Sequence, residues 1–125
     1  MTSPAEEKLT LVKFPKGTIL YKEGDPNDGR MFVVSEGIIS ASRKVAGKEQ
    51  VVYQCAQGDI VGEVSFLTGE PRTATCVIAT HEARLFELDN ETFEEMIHTN
   101  PEIALKVIRS LADKLRSVER RAEHA

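Results

Sequence analysis

The chain has 125 residues, which is the length of one domain that can bury a core of its own. Hydrophobic residues make up 41% of the sequence and charged residues 29%, as in an ordinary globular protein that is soluble in water. The formal net charge of −4 argues against a surface that neutralises DNA phosphates, and no apolar run reaches the length of a membrane span.

The first eight residues, MTSPAEEK, contain no hydrophobic signal core, so we expect a disordered tail, one domain over residues 9–125 and a cytoplasmic protein. From residue 9 to about residue 88, short β-rich runs alternate with turn signals. The predicted strands are Thr18–Tyr21, Met31–Val34, Ile38–Ser42, Gln50–Cys55, Cys76–Ala79 and Arg84–Leu88. This spacing, with no long helical pattern between the runs, indicates a mainly β fold built as an antiparallel, jelly-roll-like β-roll.

The residues from about 89 to 121 are predicted to form C-terminal helices. Asp89 is placed to cap the first of them, with Leu88 and Phe93 as a hydrophobic staple around the cap. The pair Asn100-Pro101 ends that helix and begins the last one, because asparagine caps well and proline suits a first helical position. Along the last helix, apolar residues recur at intervals of four and three on one face: Ala104, Ile108, Leu111, Leu115, Val118 and Ala122.

The segment GEVSFLTGEPRTA, residues 62–74, is suited to a small anion that also bears a sugar hydroxyl. Gly62 and Glu63 begin a short apolar turn, and Arg72 follows in the tight sequence Pro71–Ala74. Exposed backbone amides and one guanidinium can hold a negative group, while the carboxylate accepts a hydroxyl proton. The alternative is a surface ion pair between Glu63 and Arg72, which would require neither Gly62, nor the apolar turn, nor Pro71.

This segment resembles, without a gap, the phosphate-binding cassette of the cyclic-nucleotide-binding domains found in catabolite-activator-type regulators, cyclic-nucleotide-dependent kinases and cyclic-nucleotide-gated channels. The stretch GDPNDGRMFVVSEGIIS, residues 24–40, is similar to the family's second conserved block. QGDIVGE, residues 57–63, is similar to the entry into the cassette, and the last two helices resemble the family's C-terminal pair. The resemblance covers roughly residues 9–118 and implies binding of a 3′,5′-cyclic nucleotide.

The resemblance also implies a role for each cassette residue. Glu63 is expected to accept a hydrogen bond from the ribose 2′-hydroxyl, and Arg72 to bind two phosphate oxygens. Gly62 allows a backbone conformation closed to other residues, and the turn that begins at Val64 presents free amides, including that of Ser65, to the phosphate.

Thr73 bears on the choice of base. The family often has alanine or serine here where adenine is favoured, and threonine where guanine is bound. A hydroxyl can accept a hydrogen bond from the exocyclic amine of a syn guanine, whereas the alternative is that Thr73 only packs and caps the turn. We expect cAMP as the ligand, with cGMP as a second candidate.

The base is expected to rest on an apolar wall. Val51, Tyr53 and Cys55 alternate along one predicted strand and therefore share a face. The resemblance places Tyr53 and Cys55 at purine contacts with Val61 beside them, and Val51 is expected in the core. Cys55 and Cys76 are predicted to be small buried hydrophobes, with a disulfide between them as the open alternative.

The last helix has two alternative roles in the family, since relatives use it as a lid over the purine or pair it with a second subunit. The resemblance places Lys114 and Val118 at the lid contacts, with Lys114 where arginine is more usual. The same apolar stripe is therefore a candidate surface for a homodimer.

No catalytic constellation and no metal-ligand spacing is present in the sequence, and the histidines, His81, His98 and His124, are scattered singly. Basic residues near the C-terminus alternate with acidic ones, which is typical of a solvated helix face and not of a nucleic-acid track. We therefore predict a stand-alone, non-enzymatic sensor without a metal or cofactor that acts through an effector protein, or else the excised regulatory part of a longer chain. The alternative is an interaction module of the same fold whose pocket takes another small anion or nothing, while a cupin-type metalloenzyme is disfavoured.

Overall fold

A computed structural model describes the backbone from residue 9 to residue 124 and the side chains from residue 9 to residue 116. The predictions for residues 1–8 and for the side chains of Val118, Ala122 and His124 lie outside the described residues. The strands of the described part are β1 (Thr10–Pro15), β2 (Ile19–Tyr21), β3 (Arg30–Glu36), β4 (Ile39–Val45), β5 (Lys48–Cys55), β6 (Ile60–Val61), β7 (Thr75–Ile78) and β8 (Glu82–Asp89). Its helices are α1 (Glu63–Thr68), α2 (Asn90–Thr99) and α3 (Glu102–His124).

The strands form two antiparallel four-stranded sheets, which confirms the predicted β-roll with C-terminal helices. The first sheet has the order β1-β8-β3-β6 and the second the order β2-β7-β4-β5. The six predicted strands are all present, whereas β1 and the two-residue β6 were not predicted. β6 is too short to show an alternation of its own, and it exists because Val61 and Ile60 pair with Phe32 and Val33 of β3.

The first sheet is buried on both faces, so the roll has two apolar clusters. Successive side chains of a strand point to opposite faces, and β3 accordingly contributes Phe32 to the cluster between the sheets and Met31 to the cluster under the helices. The second cluster also holds Phe66 of α1, which meets Phe93 of α2 edge to face with the ring centroids 5.2 Å apart. This packing ties the short helix α1 to both the sheet and the C-terminal helices.

The predicted caps of α2 and α3 are confirmed. The Asp89 carboxylate accepts a hydrogen bond from the backbone N–H of Thr92 at 2.8 Å. Leu88 and Phe93, the expected staple, are both buried in the cluster under the helices. Asn100 caps α3, since its side-chain oxygen accepts from the N–H of Glu102 at 3.2 Å. These caps fix where α3 begins and therefore which of its residues reach the cassette.

The apolar residues of α3 are not confined to the predicted stripe, because a second, buried face lies beside it. Val107 is buried, with Ile103 and Leu111 packed beside it, whereas Ile108 and Leu115 are 59% and 60% exposed. At about 100° per residue, the buried face is rotated away from the stripe toward two polar positions of the same helix. These positions are Ser110 and Lys114, which hydrogen-bond to the buried Glu63.

None of the described helices combines the length and the apolar composition that a membrane span needs.

Candidate functional site

A left-handed turn at Gly62 joins β6 to α1 and begins the site. Gly62 has φ 88° and ψ 13°, a conformation that side chains other than hydrogen disfavour. A Cβ at this position would lie 2.7 Å from Nη1 of Arg72. Glycine is therefore required twice here, once by the backbone angle and once by the close approach of the guanidinium.

The side chain of Arg72 is buried, with 1% of its surface exposed. Nη1 donates to the carbonyl of Gly62 at 3.3 Å. Nη2 donates to the carboxylate of Asp28 at 2.6 Å and to the carbonyl of Arg30 at 2.8 Å. Since a guanidinium has five N–H donors, these three bonds to described residues leave two donors for an anion.

The loop between β2 and β3 holds the backbone of Arg72 as well as its side chain. The N–H of Arg72 donates to the carbonyl of Asp25, and the N–H of Gly24 donates to the carbonyl of Arg72, both at 2.8 Å. Partial burial opposes ionisation of Asp28, but hydrogen bonds and positive charge from Arg30 and then Arg72 outweigh it and hold the pKa of Asp28 below its usual value. The carboxylate that orients Arg72 is thus ionised at neutral pH.

Glu63 is fully buried. Its Oε1 accepts from the Lys114 ammonium and, at 3.4 Å, from the Ser110 hydroxyl. Its Oε2 is buried and has no hydrogen-bond partner among the described residues. A buried carboxylate oxygen without a donor is costly, so this atom marks a place where an added hydroxyl would stabilise the site.

Lys114 connects α3 to the β-roll through three contacts. Besides its bond to Glu63, its ammonium donates to the carbonyl of Ile60 at 3.2 Å. It also lies 4.7 Å from the centroid of the Tyr53 ring. The expectation that Lys114 reaches the site from the last helix agrees with this geometry, although the contacts that it makes are with protein groups.

The predicted apolar wall is interrupted by a bulge in β5. Ala41 pairs with Tyr53 but the next residue of β4, Ser42, pairs with Val51, so Val52 is the extra residue. Val52 is consequently buried and Val51 is 55% exposed. The expectation that Val51 belongs to the core was therefore wrong.

The two cysteines are free and buried. Burial raises the pKa of the Cys55 thiol to about 12 and that of the Cys76 thiol to about 11. Because both cysteines are free, the alternative of a disulfide between them was wrong. Both residues serve as small apolar side chains.

Most of the predicted site residues come together around one small cavity. It is lined by Tyr53, Gly62, Glu63, Val64, Ser65, Arg72, Thr73 and Lys114, all of them predicted, and by Tyr21, which was not. Cys55 lines an adjoining cavity of about 180 Å³ that shares Tyr53 and Lys114 with the first. Val61 lies fully buried in the core between the sheets, and Val118 lies outside the described side chains.

Sequence reasoning missed three residues of the site: Tyr21, Asp28 and Ser110. Asp28 belongs to the block GDPNDGR that carries part of the resemblance, and an acidic residue in such a loop was a signal that could have been paired with Arg72. Tyr21 and Ser110 gave no such signal, because a tyrosine in a strand and a serine in a helix have many ordinary uses.

The cassette cavity is too small to admit a water molecule. Sites for small molecules usually enclose roughly 300–1,000 Å³. Lys114 of α3 forms one side of this cavity, and Ser110 of the same helix lines the adjoining one.

The described residues contain no group of three or more histidine, cysteine, aspartate or glutamate side chains arranged to hold a metal ion. His81 and His98 are exposed. The buried polar groups of the site, Glu63 and Arg72, suit an organic anion with a hydroxyl group.

Comparison with known proteins gives a consistent result. A model of the cyclic nucleotide-binding domain matches residues 11–100. The CRP-like cAMP-activated global transcriptional regulator of Mycobacterium tuberculosis is 31% identical over 111 residues, which are 88% of this chain and 49% of the regulator. Patatin-like phospholipase domain-containing protein 6 of Homo sapiens is 30% identical over 99 residues, which are 79% of this chain and 7% of that protein. The chain therefore spans half or less of the length of these two relatives.

A solved structure is also similar to this chain in both sequence and fold. The regulatory domain of Toxoplasma gondii PKA in complex with cAMP is 27% identical to this chain, with a TM-score of 0.66. The match covers 76% of this chain and 37% of that structure.

Proposed function

The chain belongs to the cyclic nucleotide-binding domain family, and on this premise we propose that it is a sensor that binds cAMP, with cGMP as a second ligand, and signals through movement of α3. One observation carries the proposal. A buried arginine with spare donors, Arg72, and a buried carboxylate oxygen without a partner among the described residues, Oε2 of Glu63, line the same cavity. A phosphate and a free sugar hydroxyl are the complementary groups.

The phosphate would be bound by Arg72 and the start of α1. The first bond of this helix runs from the N–H of Phe66 to the carbonyl of Gly62 at 3.1 Å. The N–H groups that precede it, those of Val64 and Ser65, belong to the first turn, which has no acceptors within the helix. Both residues line the cavity with Arg72, so a cyclic phosphate would meet a guanidinium and backbone donors together.

The ribose would be bound by Oε2 of Glu63. Its 2′-hydroxyl is the one hydroxyl that a 3′,5′-cyclic nucleotide retains, and it can donate to the unpartnered oxygen. Lys114 can remain on Oε1 while this bond forms. Contact with α3 and contact with the sugar are then compatible, because each uses a different oxygen of one carboxylate.

The base would lie against Tyr53, close to Lys114 and Thr73, which line the same cavity. The preference for cAMP is supported by two relatives, a regulator described as cAMP-activated and a regulatory domain solved with cAMP. The half-buried Thr73 supports cGMP as a second ligand, since its hydroxyl can accept a hydrogen bond from the guanine amine.

The signal would leave the domain through α3. The helix would move as the ligand enters, and its contacts with Glu63 and Tyr53 would re-form around the ligand. A ligand shifts such an equilibrium only by its difference in affinity for the two positions of the helix. We propose an effector protein as the recipient, in the cytoplasm, with no reaction catalysed and no nucleic acid bound by this chain.

The exposed face of α3 offers a surface for pairing with a second copy. Leu105, Ile108 and Leu115 are between 47% and 60% exposed, and they recur at helical spacing along this face. A homodimer through α3 is therefore part of the proposal. The alternative function remains an interaction module of the same fold, whose pocket takes another small anion or none.

Isothermal titration with cAMP, cGMP and 5′-AMP tests the proposal. We expect binding of the two cyclic nucleotides. Arg72→Ala should lower affinity by a factor of tens to thousands, since loss of one partner of a buried charge pair costs about 2–5 kcal/mol. Arg84→Ala, which removes a surface arginine paired with Glu36, is the control and should bind like the parent. A folded parent that binds neither cyclic nucleotide would favour the alternative function.

A further inference from the structure

An aromatic ring lies directly beneath the phosphate-binding arginine. The guanidinium carbon of Arg72 is 4.3 Å from the centroid of the Tyr21 ring. Both residues are buried, with 8% of Tyr21 and 3% of Arg72 exposed. At this distance, and away from water, a guanidinium and an aromatic face attract each other appreciably.

The other contacts of Arg72 leave this face for the ring. Hydrogen bonds to Gly62, Asp28 and Arg30 run from Nη1 and Nη2, which fixes the edges of the planar guanidinium. Hydrogen bonds at the edges do not support the face of the plane. Tyr21 supplies that support, and it also approaches Gly62, whose added Cβ would lie 3.4 Å from the tyrosine hydroxyl.

Tyr21 itself is held in place from the second sheet. It pairs with Cys76 of β7 in the strand register. The Cys76 thiol donates to the Tyr21 hydroxyl at 3.2 Å. Burial and the neighbouring Cys76 raise the pKa of Tyr21, so the phenol is uncharged at neutral pH. The ring is thus a fixed, uncharged surface.

We infer that Tyr21 is a positioning residue for anion binding: its ring holds the Arg72 guanidinium in the plane in which its free donors meet a phosphate. This inference rests on the proposed function and deepens it. An arginine that is already ordered and stripped of water does not have to lose conformational freedom when the anion arrives. The ring acts through Arg72 and needs no contact with the ligand.

A double-mutant cycle read out by cAMP affinity tests the inference. Tyr21→Phe keeps the ring and should bind within about twofold of the parent, whereas Tyr21→Leu should weaken binding by about tenfold. In an Arg72→Ala background, Tyr21→Leu should have no further effect, because its role passes through the guanidinium. A merely structural role of Tyr21 would lower affinity to the same extent in both backgrounds.

A second pair of variants separates the electrostatic effect from packing. Pentafluorophenylalanine at position 21 has nearly the shape of phenylalanine but the opposite ring quadrupole, so it should bind cAMP about tenfold more weakly than Tyr21→Phe. Equal affinities of these two variants, or additive losses in the cycle, would overturn the inference while leaving the sensor function intact. A parent protein that binds no cyclic nucleotide would overturn the sensor function and this inference with it.

Discussion

The Lys114 ammonium donates to Oε1 of Glu63, so a cation on α3 is paired with the carboxylate that the cassette would offer to a ribose. The carboxylate is fully buried and the lysine side chain is 16% exposed. One ion pair thus joins the last helix to the candidate binding site, and its strength bears on both stability and signalling.

Removal of the lysine should destabilise the fold. Lys114→Met leaves the buried Glu63 charge with only the weak Ser110 contact, and breaking a buried pair costs about 3–5 kcal/mol. Glu63→Gln combined with Lys114→Met should lose clearly less, because neither charge of this pair is then left buried without its partner. Urea denaturation measures the free energy of unfolding of both variants. Lys106→Met, at an exposed position of the same helix, is the control. A Lys114→Met protein as stable as the parent would show that the pair contributes nothing.

Gly62 and Gly58 form a matched pair for a second prediction. Both have φ +88°, but a Cβ at Gly58 meets no atom within 4 Å, whereas one at Gly62 lies 2.7 Å from Arg72. Alanine should therefore cost about 1–2 kcal/mol of backbone strain at either site, while only Gly62→Ala should also displace Arg72 and abolish cyclic-nucleotide binding. Denaturation and titration of both variants check this, and equal affinities would mean that the guanidinium can move without loss.

The cassette could be predicted from the sequence because its information is local. The glycine, the carboxylate, the apolar turn and the arginine of residues 62–74 stand in one segment, and the caps at Asp89 and Asn100 depend on residues only two or three positions away. Such short-range patterns can be recognised in the sequence without knowledge of the fold. They gave the starts of α2 and α3 and six of the nine residues that line the cassette cavity, whereas Tyr53 and Lys114 came from the family resemblance.

The support of the cassette could not be predicted, because it comes from distant parts of the chain. Asp28 is 44 residues from Arg72 in sequence, and its contact exists only once the loop before β3 folds over the site. The bulge in β5 likewise depends on the pairing with β4, and it moved Val51 from the expected core to the surface. Which face of α3 is buried likewise depends on a long-range contact, the hydrogen bonds from Ser110 and Lys114 to Glu63.

Asp28 gives a prediction for acid stability. Its pKa is lowered in the folded protein, so its contribution is complete above its unfolded pKa of about 3.9 and is lost as the pH falls through the folded value. The difference in unfolding free energy between the parent and Asp28→Asn should be present at pH 7 and shrink as the pH falls below the unfolded pKa. It should be small, about 1 kcal/mol or less, because the side chain is 43% exposed. Denaturation curves at several pH values measure it, and a difference that does not change with pH would contradict the prediction.

Thr73 should discriminate between the two bases. Thr73→Ala and Thr73→Val, which lack the hydroxyl, should lower cGMP affinity by about two- to tenfold and leave cAMP affinity nearly unchanged, since one hydrogen bond contributes about 0.5–1.5 kcal/mol. Thr73→Ser retains the hydroxyl and should bind both nucleotides like the parent. Titration of the three variants with each ligand decides the matter. Equal losses for cAMP and cGMP would leave Thr73 a packing residue.

The end of α3, about residues 114–121, should be more strongly protected from amide exchange when ligand binds. Lys114 can stay on Oε1 of Glu63 while the ribose occupies Oε2, so the ribose and the closed position of α3 would be held by the same carboxylate. Amide hydrogen exchange with and without saturating cAMP should show slower exchange over these residues. The N–H groups of β1, which lies at the edge of the first sheet opposite β6 and the cassette, are an internal reference and should not change.

The Lys114→Met variant sharpens the same experiment. Without the ammonium, cAMP should still bind through Arg72, but protection at the end of α3 should rise less than in the parent, because the link from Glu63 to the helix is gone. Protection that rises equally in both proteins would mean that the ligand closes the helix through the base and not through the carboxylate. Unchanged protection in the parent at saturating cAMP would mean that α3 is not the element that carries the signal.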